Sequence, residues 1–201
     1  MELIIEFLGT LAFAISGIRL AAAKHFVWFG GYVVGLATAI GGGTLRDVML
    51  GKTPFWMTDP VYIICTGIAL LTVIVFKRHL VRLNNTWFIF DTFGLALFTI
   101  AGIQKTLDCG HPFWVAVIMG CITGAAGGVM RDVLINEVPL IFRREIYALA
   151  CIAGGVAYHI CSSPLGMSAE LSSLAAFTVV VLVRVLAVKF KITLPHLNDI
   201  G

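Results

Sequence analysis

The sequence predicts an all-α membrane protein with seven transmembrane helices, arranged as two inverted three-helix repeats followed by a seventh helix. The first observation is composition: 59% of the 201 residues are hydrophobic and 12% are charged, whereas a soluble domain is about half apolar and about a quarter charged. The second is that the apolar residues form continuous runs of spanning length, unlike the alternating pattern of a membrane barrel. The third is that the chain matches itself without a gap when it is displaced by 85 residues.

Charge and cysteine content exclude several classes of protein. The net charge of +3 comes from 14 basic and 11 acidic residues, too few to form a phosphate-binding stripe. An ordinary cytosolic domain, a disordered chain and a nucleic-acid-binding module are therefore excluded, and membrane lipids are the expected surroundings. The five cysteines are odd in number and lack paired spacing, which argues against a disulfide framework or a zinc site.

The apolar runs define seven candidate spans, each close to the length of about 20 residues that a bilayer requires. The first run lacks a preceding basic segment and is too long for a cleavable signal. Connections between the runs are short, so we expect no inserted soluble domain. The spans are predicted at residues 3–23, 28–50, 60–76, 87–106, 112–135, 145–162 and 170–188.

Basic residues are distributed unequally between the two predicted membrane faces. One face receives only Lys52 and Lys105. The positive-inside rule assigns the richer face to the cytoplasm, so we expect a bacterial inner-membrane protein with its N-terminus outside and its C-terminus in the cytoplasm. The nine basic residues of the richer face are Lys24, Lys77, Arg78, Arg82, Arg143, Arg144, Arg184, Lys189 and Lys191.

The internal repeat divides the chain into residues 1–83, residues 84–165 and a seventh helix with a tail at residues 166–201. Each of the first two units holds three spans, and an odd number places the second unit in the opposite orientation. Inverted repeats of this kind build transport proteins whose pathway lies at the repeat interface. The matched positions include Gly42 with Gly127, Arg46 with Arg131, Asp47 with Asp132, Tyr62 with Tyr147, and Glu6 with Asp91.

Glycine clusters lie near the middle of the second span of each unit. Glycine destabilises a helix interior by up to about 1 kcal/mol relative to alanine, so the clusters predict broken helices that offer carbonyl oxygens to a permeating cation. Such a break is tolerated only against protein or a water-filled cavity. The alternative is that the glycines allow two helices to pack closely. The clustered residues are Gly41, Gly42 and Gly43 in one unit, and Gly127 and Gly128 in the other.

Threonine hydroxyls one turn before the glycines are candidates for the lining of the same path. Thr38 and Thr123 occupy matched positions in the two units. The alternative is that each hydroxyl bonds back to a carbonyl of its own helix.

Two arginines follow the glycine clusters, Arg46 towards the outer side and Arg131 towards the inner side. A membrane-buried arginine requires a partner or water. The next residues, Asp47 and Asp132, do not share a helix face with the arginines, so we expect the partners to be Glu6 and Asp91 instead. The alternatives are that the arginines extend to the lipid headgroups, and that the two acids only complement helix dipoles. The candidate gating or charge-pair residues are Arg46, Asp47, Arg131, Asp132, Glu6 and Asp91.

The blocks at residues 41–47 and 126–132 resemble those of the prokaryotic trimeric intracellular cation (TRIC) channels, which overlap a bacterial family labelled as a glycine transporter domain. The likeness covers roughly residues 2–190. It implies an inverted repeat of three helices plus a seventh helix, a homotrimer, and one potassium-conducting pore per protomer between the kinked second and fifth helices.

The first functional hypothesis is a potassium-permeable monovalent cation channel in which Arg46 and Arg131 act as fixed charges or gates. No cofactor or metal site is expected, and potassium or sodium would be the permeating ion. The alternative is a secondary transporter of glycine or another small amino acid, with the substrate carboxylate at a half-helix N-terminus. A purely structural membrane protein is the third hypothesis. The sequence shows no nucleophile paired with a base, so we do not expect an enzyme.

Overall fold

The computed structural model describes residues 2–76, 86–142 and 146–192. Over these ranges the chain is helical and contains no strand, which confirms the all-α class. A single turn of 3-10 helix spans Leu140–Phe142. The eight α-helices of the described ranges are α1 (Glu2–Ala23), α2 (Trp28–Met49), α3 (Phe55–Thr58), α4 (Val61–Val75), α5 (Thr86–Asp108), α6 (Phe113–Leu134), α7 (Ala148–Ser162) and α8 (Ala169–Lys189).

The predicted number of seven transmembrane spans is not confirmed. In the described part of the chain, four helices are long and apolar enough to cross a membrane: α1, α5, α6 and α8. Helices α4 and α7 are apolar but have only 15 residues each, about 22 Å of helix against a hydrocarbon core of about 30 Å. Helix α2 has 22 residues, but six glycines lower its hydropathy.

The helices of the two halves end in the same backbone conformation. After α1 and α5, His25 and Gly110 adopt φ values of 60° and 79°. After α2 and α6, Gly51 and Asn136 adopt φ values of 67° and 56°. A left-handed residue just past the last turn commonly terminates a helix. Each pair is separated by 85 residues, so the repeat extends to the loops.

The core of the bundle is formed by α1, α2, α5 and α6, where α1 packs against α2 and α5, and α6 packs against the same two helices. Phe13 and Phe98, which are repeat equivalents, stack with ring centroids 5.4 Å apart. Helix α4 covers α1 and α2, whereas α8 covers α7 and α5. The equivalent helices of the two halves therefore meet at the centre of the molecule.

Helices α1 and α5 run antiparallel. Near the start of α5, the Trp87 carbonyl oxygen accepts a hydrogen bond of 3.3 Å from Ser16 in the second half of α1. At the other end, the Lys105 ammonium lies 4.0 Å from a carboxylate oxygen of Glu6 in the second turn of α1. A parallel pair could not make both contacts, because the two ends of each helix are more than 20 Å apart.

The predicted breaks in α2 and α6 are wrong, because both helices are continuous through their glycines. The glycines instead form a close contact between the two helices. A Cβ atom added to Gly42 would overlap the Thr123 carbonyl oxygen, and one added to Gly127 would overlap the Thr38 carbonyl oxygen. Helix contact therefore compensates the low helix propensity, as the close-packing alternative requires. We call this contact the glycine seam; it consists of Thr38, Gly42, Thr123 and Gly127.

The threonine hydroxyls of the glycine seam do not line a path in this conformation. The Thr38 hydroxyl donates to the carbonyl oxygen of Val34, and the Thr123 hydroxyl donates to that of Met119, each over 2.6 Å. Both threonines are completely buried. The hydroxyls are thus satisfied by their own helices.

Candidate functional site

Two clusters of buried charged side chains lie towards opposite ends of the central bundle. Helix α1 contacts both, through Glu6 in the first cluster and Ser16 at the second, and these residues are about 15 Å apart along the helix. Four members of each cluster are repeat equivalents, and the fifth member differs. The first cluster comprises Glu6, Arg46, Asp47, Tyr62 and Lys105; the second comprises Asp91, Arg131, Asp132, Tyr147 and Arg184.

In the first cluster, the Arg46 guanidinium bridges two carboxylates. Its Nε donates to Asp47 Oδ1 over 2.8 Å, and its Nη2 donates to Glu6 Oε1 over 3.2 Å. The second oxygen of Asp47 accepts the backbone N–H of Phe55, and the second oxygen of Glu6 accepts the Tyr62 hydroxyl, both over 2.8 Å. The cluster therefore ties together α1, α2, α3 and α4.

The second cluster repeats this arrangement. Arg131 Nε donates to Asp132 Oδ1 over 2.8 Å, while Arg131 Nη1 donates to Asp91 and, over 3.0 Å, to the Ser16 hydroxyl. The second oxygen of Asp132 accepts the backbone N–H of Leu140 over 3.0 Å. Leu140 begins the 3-10 turn, which is the repeat equivalent of α3.

The tyrosines and the remaining glycines complete the clusters. The Tyr147 hydroxyl lies 3.4 Å from Asp91 Oδ1, matching the contact between Tyr62 and Glu6. A Cβ atom added to Gly128 would lie 2.6 Å from the Tyr147 hydroxyl, and one added to Gly43 would overlap the Phe55 ring. These two glycines make room for an aromatic ring beside each arginine.

The expectation that the arginines do not pair with the aspartates next to them is wrong, whereas the expected pairing with Glu6 and Asp91 is present. We expected Asp47 and Asp132 not to contact the arginines that precede them, because neighbours in sequence do not face each other on a helix. Both nevertheless accept from the arginine Nε. Arg46 lies in the last turn of α2 and Arg131 in that of α6, and the length of the arginine side chain allows each to contact its neighbour in sequence. The structure also places Glu6 and Asp91 against the same two arginines.

Charges balance within each cluster. Taking every group at its formal charge, each holds two acids and two bases, so the sum is zero. The side chains of Arg46, Arg131 and Arg184 are completely buried. A buried ion is tolerated when opposite charges and hydrogen bonds compensate its desolvation. Loss of one member would leave an uncompensated charge.

Arg184 was expected among the basic residues of the cytoplasmic rim, but the structure buries it within the protein. Its side chain is buried, and its Nη2 lies 4.0 Å from Asp91 Oδ2. The guanidinium carbon lies 4.8 Å from the ring centroid of Tyr147 and 5.1 Å from that of Phe88. Arg184 lies five residues before the end of α8. At such a position, the rotation of the helix about its axis determines whether the side chain points to the lipid headgroups or into the protein. The residues Lys77, Arg78, Arg82, Arg143 and Arg144, expected on the same face, lie outside the described ranges.

Lys105 was assigned to the sparse outer face and was not recognised as a site residue. Its ammonium lies 3.2 Å from Asp47 Oδ1, and its side chain is 27% exposed. The antiparallel contact of α1 and α5 brings the last turn of α5 to the first turns of α1, where Glu6 lies, and this contact was not anticipated for Lys105.

A cavity of about 220 Å³ lies beside the second cluster. Arg131 and Trp87 are among its lining residues, together with the ion pair of Lys24 and Glu137 at the ends of α1 and α6. Within the described ranges, no group of three or more histidine, cysteine, aspartate or glutamate side chains could hold a metal ion.

Comparison with known proteins identifies the family. The sequence profile described as Glycine transporter matches two stretches, residues 3–78 and 88–163. The UPF0126 inner membrane protein YadS of Escherichia coli K12 is 40% identical over 95% of this chain and 93% of its own length.

Solved structures resemble the whole fold. One, from work on the structural basis for conductance through TRIC cation channels, is 35% identical, covers 96% of this chain and 95% of its own, and has a TM-score of 0.85. The TRIC orthologue from Rhodobacter sphaeroides is 30% identical, covers 95% of this chain and 98% of its own, and has a TM-score of 0.88. These proteins are channels and not enzymes, which confirms the expected non-enzymatic class. The chain therefore belongs to the membrane-protein family described as Glycine transporter, and it shares its fold with the prokaryotic TRIC cation channels.

Proposed function

We propose that the protein is a potassium-permeable monovalent cation channel whose pathway runs within each protomer along the glycine seam of α2 and α6. The observation that carries this proposal is the pair of matched charge clusters, one towards each end of the seam. Intramembrane charges that are paired and face the bundle interior are typical of ion pathways. The likeness to TRIC cation channels at 35% and 30% identity supports the same function.

The proposed architecture is an inverted repeat of residues 1–83 and 84–165, with residues 166–201 added. The antiparallel contact of α1 and α5 supports opposite orientations of the two units. The reciprocal contacts of Gly42 with Thr123 and of Gly127 with Thr38 are the pattern that a two-fold relation produces. The two profile matches, which begin 85 residues apart, agree with this division.

In the membrane, we place the N-terminus outside and the C-terminus in the cytoplasm of a bacterial inner membrane. The distribution of basic residues supports this orientation, and the inner-membrane name of the relative from Escherichia coli supports the location. Three copies would assemble in lipid, as the description of the Rhodobacter sphaeroides orthologue as trimeric indicates for that protein.

Opening of the proposed pathway requires α2 and α6 to separate, because the helices touch at the glycine seam. Arg46 and Arg131 lie at the ends of these helices, so a movement of α2 would shift Arg46 relative to Glu6 on α1, and a movement of α6 would shift Arg131 relative to Asp91 on α5. A charge that crosses the full membrane field contributes about 2.3 kcal/mol per 100 mV. The two arginines are thus suited to act as gating charges.

Reconstitution in liposomes tests this function against glycine transport, which the family description names. Potassium efflux and uptake of labelled glycine are measured side by side, with protein-free liposomes as the control. The channel predicts potassium efflux and stepwise single-channel currents in planar bilayers. Saturable glycine uptake without current steps would instead establish the transporter.

A further inference from the structure

We propose that Lys105 is a tethered cation that occupies a monovalent-cation site in the first cluster and exchanges with the permeating ion. This inference rests on the proposed cation permeation and names one site along the path. The site consists of Glu6 Oε1 and Asp47 Oδ1, which lie 4.0 Å and 3.2 Å from the Lys105 ammonium. The lysine ammonium is itself a monovalent cation, so its position shows that these oxygens accept one.

The charge balance fixes the valence of the ion that would replace the ammonium. Without Lys105, the first cluster retains two carboxylates and the Arg46 guanidinium, a formal charge of −1. One monovalent cation restores neutrality, whereas a divalent cation would leave an excess positive charge. The Phe55 ring, whose centroid lies 6.0 Å from the ammonium, offers a further face suited to a cation.

Among the described residues, the second cluster contains no exchangeable cation of this kind. The repeat equivalent of Lys105 is Leu20, and the second base is Arg184 from α8. The Arg184 side chain is completely buried, donates to the Ile146 carbonyl oxygen over 3.3 Å and lies against two aromatic rings. Arg184 is fixed by its surroundings and cannot leave without opening the protein around it.

Lys105 is held differently. Its side chain is 27% exposed and that of Glu6 is 12% exposed, so the ammonium lies at the open side of its cluster. Lysine carries a compact, strongly hydrated charge on a flexible four-carbon chain, which allows the ammonium to withdraw into water without a change in the backbone. The two halves of the molecule therefore differ in function as well as in sequence at this position.

The test is the thermal unfolding midpoint of purified protein in detergent, measured with increasing KCl at an ionic strength held constant with N-methylglucamine chloride. An ion that binds only the folded state raises the midpoint in a saturable way. Lys105→Met should gain a potassium-dependent rise that the wild type and Lys105→Arg lack. Lys24→Met is the matched control, since it removes an exposed ammonium that pairs with Glu137, and it should gain none.

A second substitution locates the bound ion. Lys105→Met combined with Glu6→Gln should lose the potassium response, because the remaining carboxylate is neutralised by Arg46. A flat response of Lys105→Met to KCl overturns the inference, as does an equal response of Lys24→Met. Failure of both Lys105→Met and Lys105→Gln to fold in KCl also overturns it, since potassium should then substitute for the ammonium.

The unfolding assay separates this inference from the proposed function, because it requires no conduction. Channel steps in bilayers with a flat response of Lys105→Met would leave the channel standing and remove the tethered cation. A potassium-dependent midpoint of Lys105→Met without any current would establish the cation site and remove both the channel and the exchange with a permeating ion.

Discussion

Arg46 and Arg131 are completely buried, and each pairs with two acids and lies beside an aromatic ring. Their partners Glu6 and Asp91 could be anticipated from the sequence, because the repeat aligns two acids with two arginines. Arg184 and Lys105 could not be placed in the same way, since a base near a helix end reaches lipid headgroups or protein depending on helix rotation. That rotation is set by packing and is not visible in the local sequence.

Arg131→Met should lower the free energy of unfolding by about 3–5 kcal/mol, because it leaves the buried Asp91 and Asp132 without their shared cation. The control Lys24→Met breaks an exposed ion pair, which is worth about 0.2–1 kcal/mol. Denaturant unfolding in mild detergent measures both. Equal losses from the two substitutions would contradict the assignment of Arg131 as a buried structural charge.

Tyr62→Phe removes the hydroxyl that donates to Glu6 and should cost about 1 kcal/mol of stability. Tyr32→Phe is its control, since the Tyr32 hydroxyl donates at the exposed surface over 3.2 Å to the Ile63 carbonyl oxygen, and we expect a smaller loss. The same unfolding measurement compares them. A larger effect at Tyr32 than at Tyr62 would show that the tyrosine contact contributes little to the first cluster.

Among the helices, the sequence predicted where the glycine-rich segments of α2 and α6 lie, but not that these segments are continuous helix. The positions of the glycine clusters were visible from the repeat. Their low helix propensity predicted a break, and this failed because propensity is local, whereas the contact between α2 and α6 involves residues about 85 positions apart. The short α3 and the 3-10 turn were also missed, although the repeated prolines at positions 54 and 139 mark the place where each begins.

Gly42→Ala should destabilise the protein by about 1–3 kcal/mol, because the added methyl group would overlap backbone of α6 and force the helices apart. Gly67→Ala in α4 is the matched control: a Cβ atom there meets nothing within 4 Å, and alanine should stabilise that helix by up to about 1 kcal/mol. Thermal unfolding of the two variants gives the comparison. A neutral Gly42→Ala would contradict the close contact at the seam.

The whole molecule is a bundle of two related halves that meet at the glycine seam, with charges concentrated towards both ends. The class of the fold followed from composition, and the family followed from two seven-residue blocks. The closed state of the seam did not follow from either, because sequence alone does not distinguish glycines that open a helix from glycines that join two helices.

Cross-linking across the seam tests this account most directly. Gly41 faces Met130 on the opposite helix, so Gly41→Cys and Met130→Cys are introduced after the five native cysteines are replaced, and a short bifunctional thiol reagent joins them. Single-channel current in potassium chloride is recorded before cross-linking and after reductive release. We predict that cross-linking abolishes the current and that release restores it, whereas each single cysteine variant treated alike keeps conducting. Current that persists unchanged through a complete cross-link would contradict a pathway between α2 and α6.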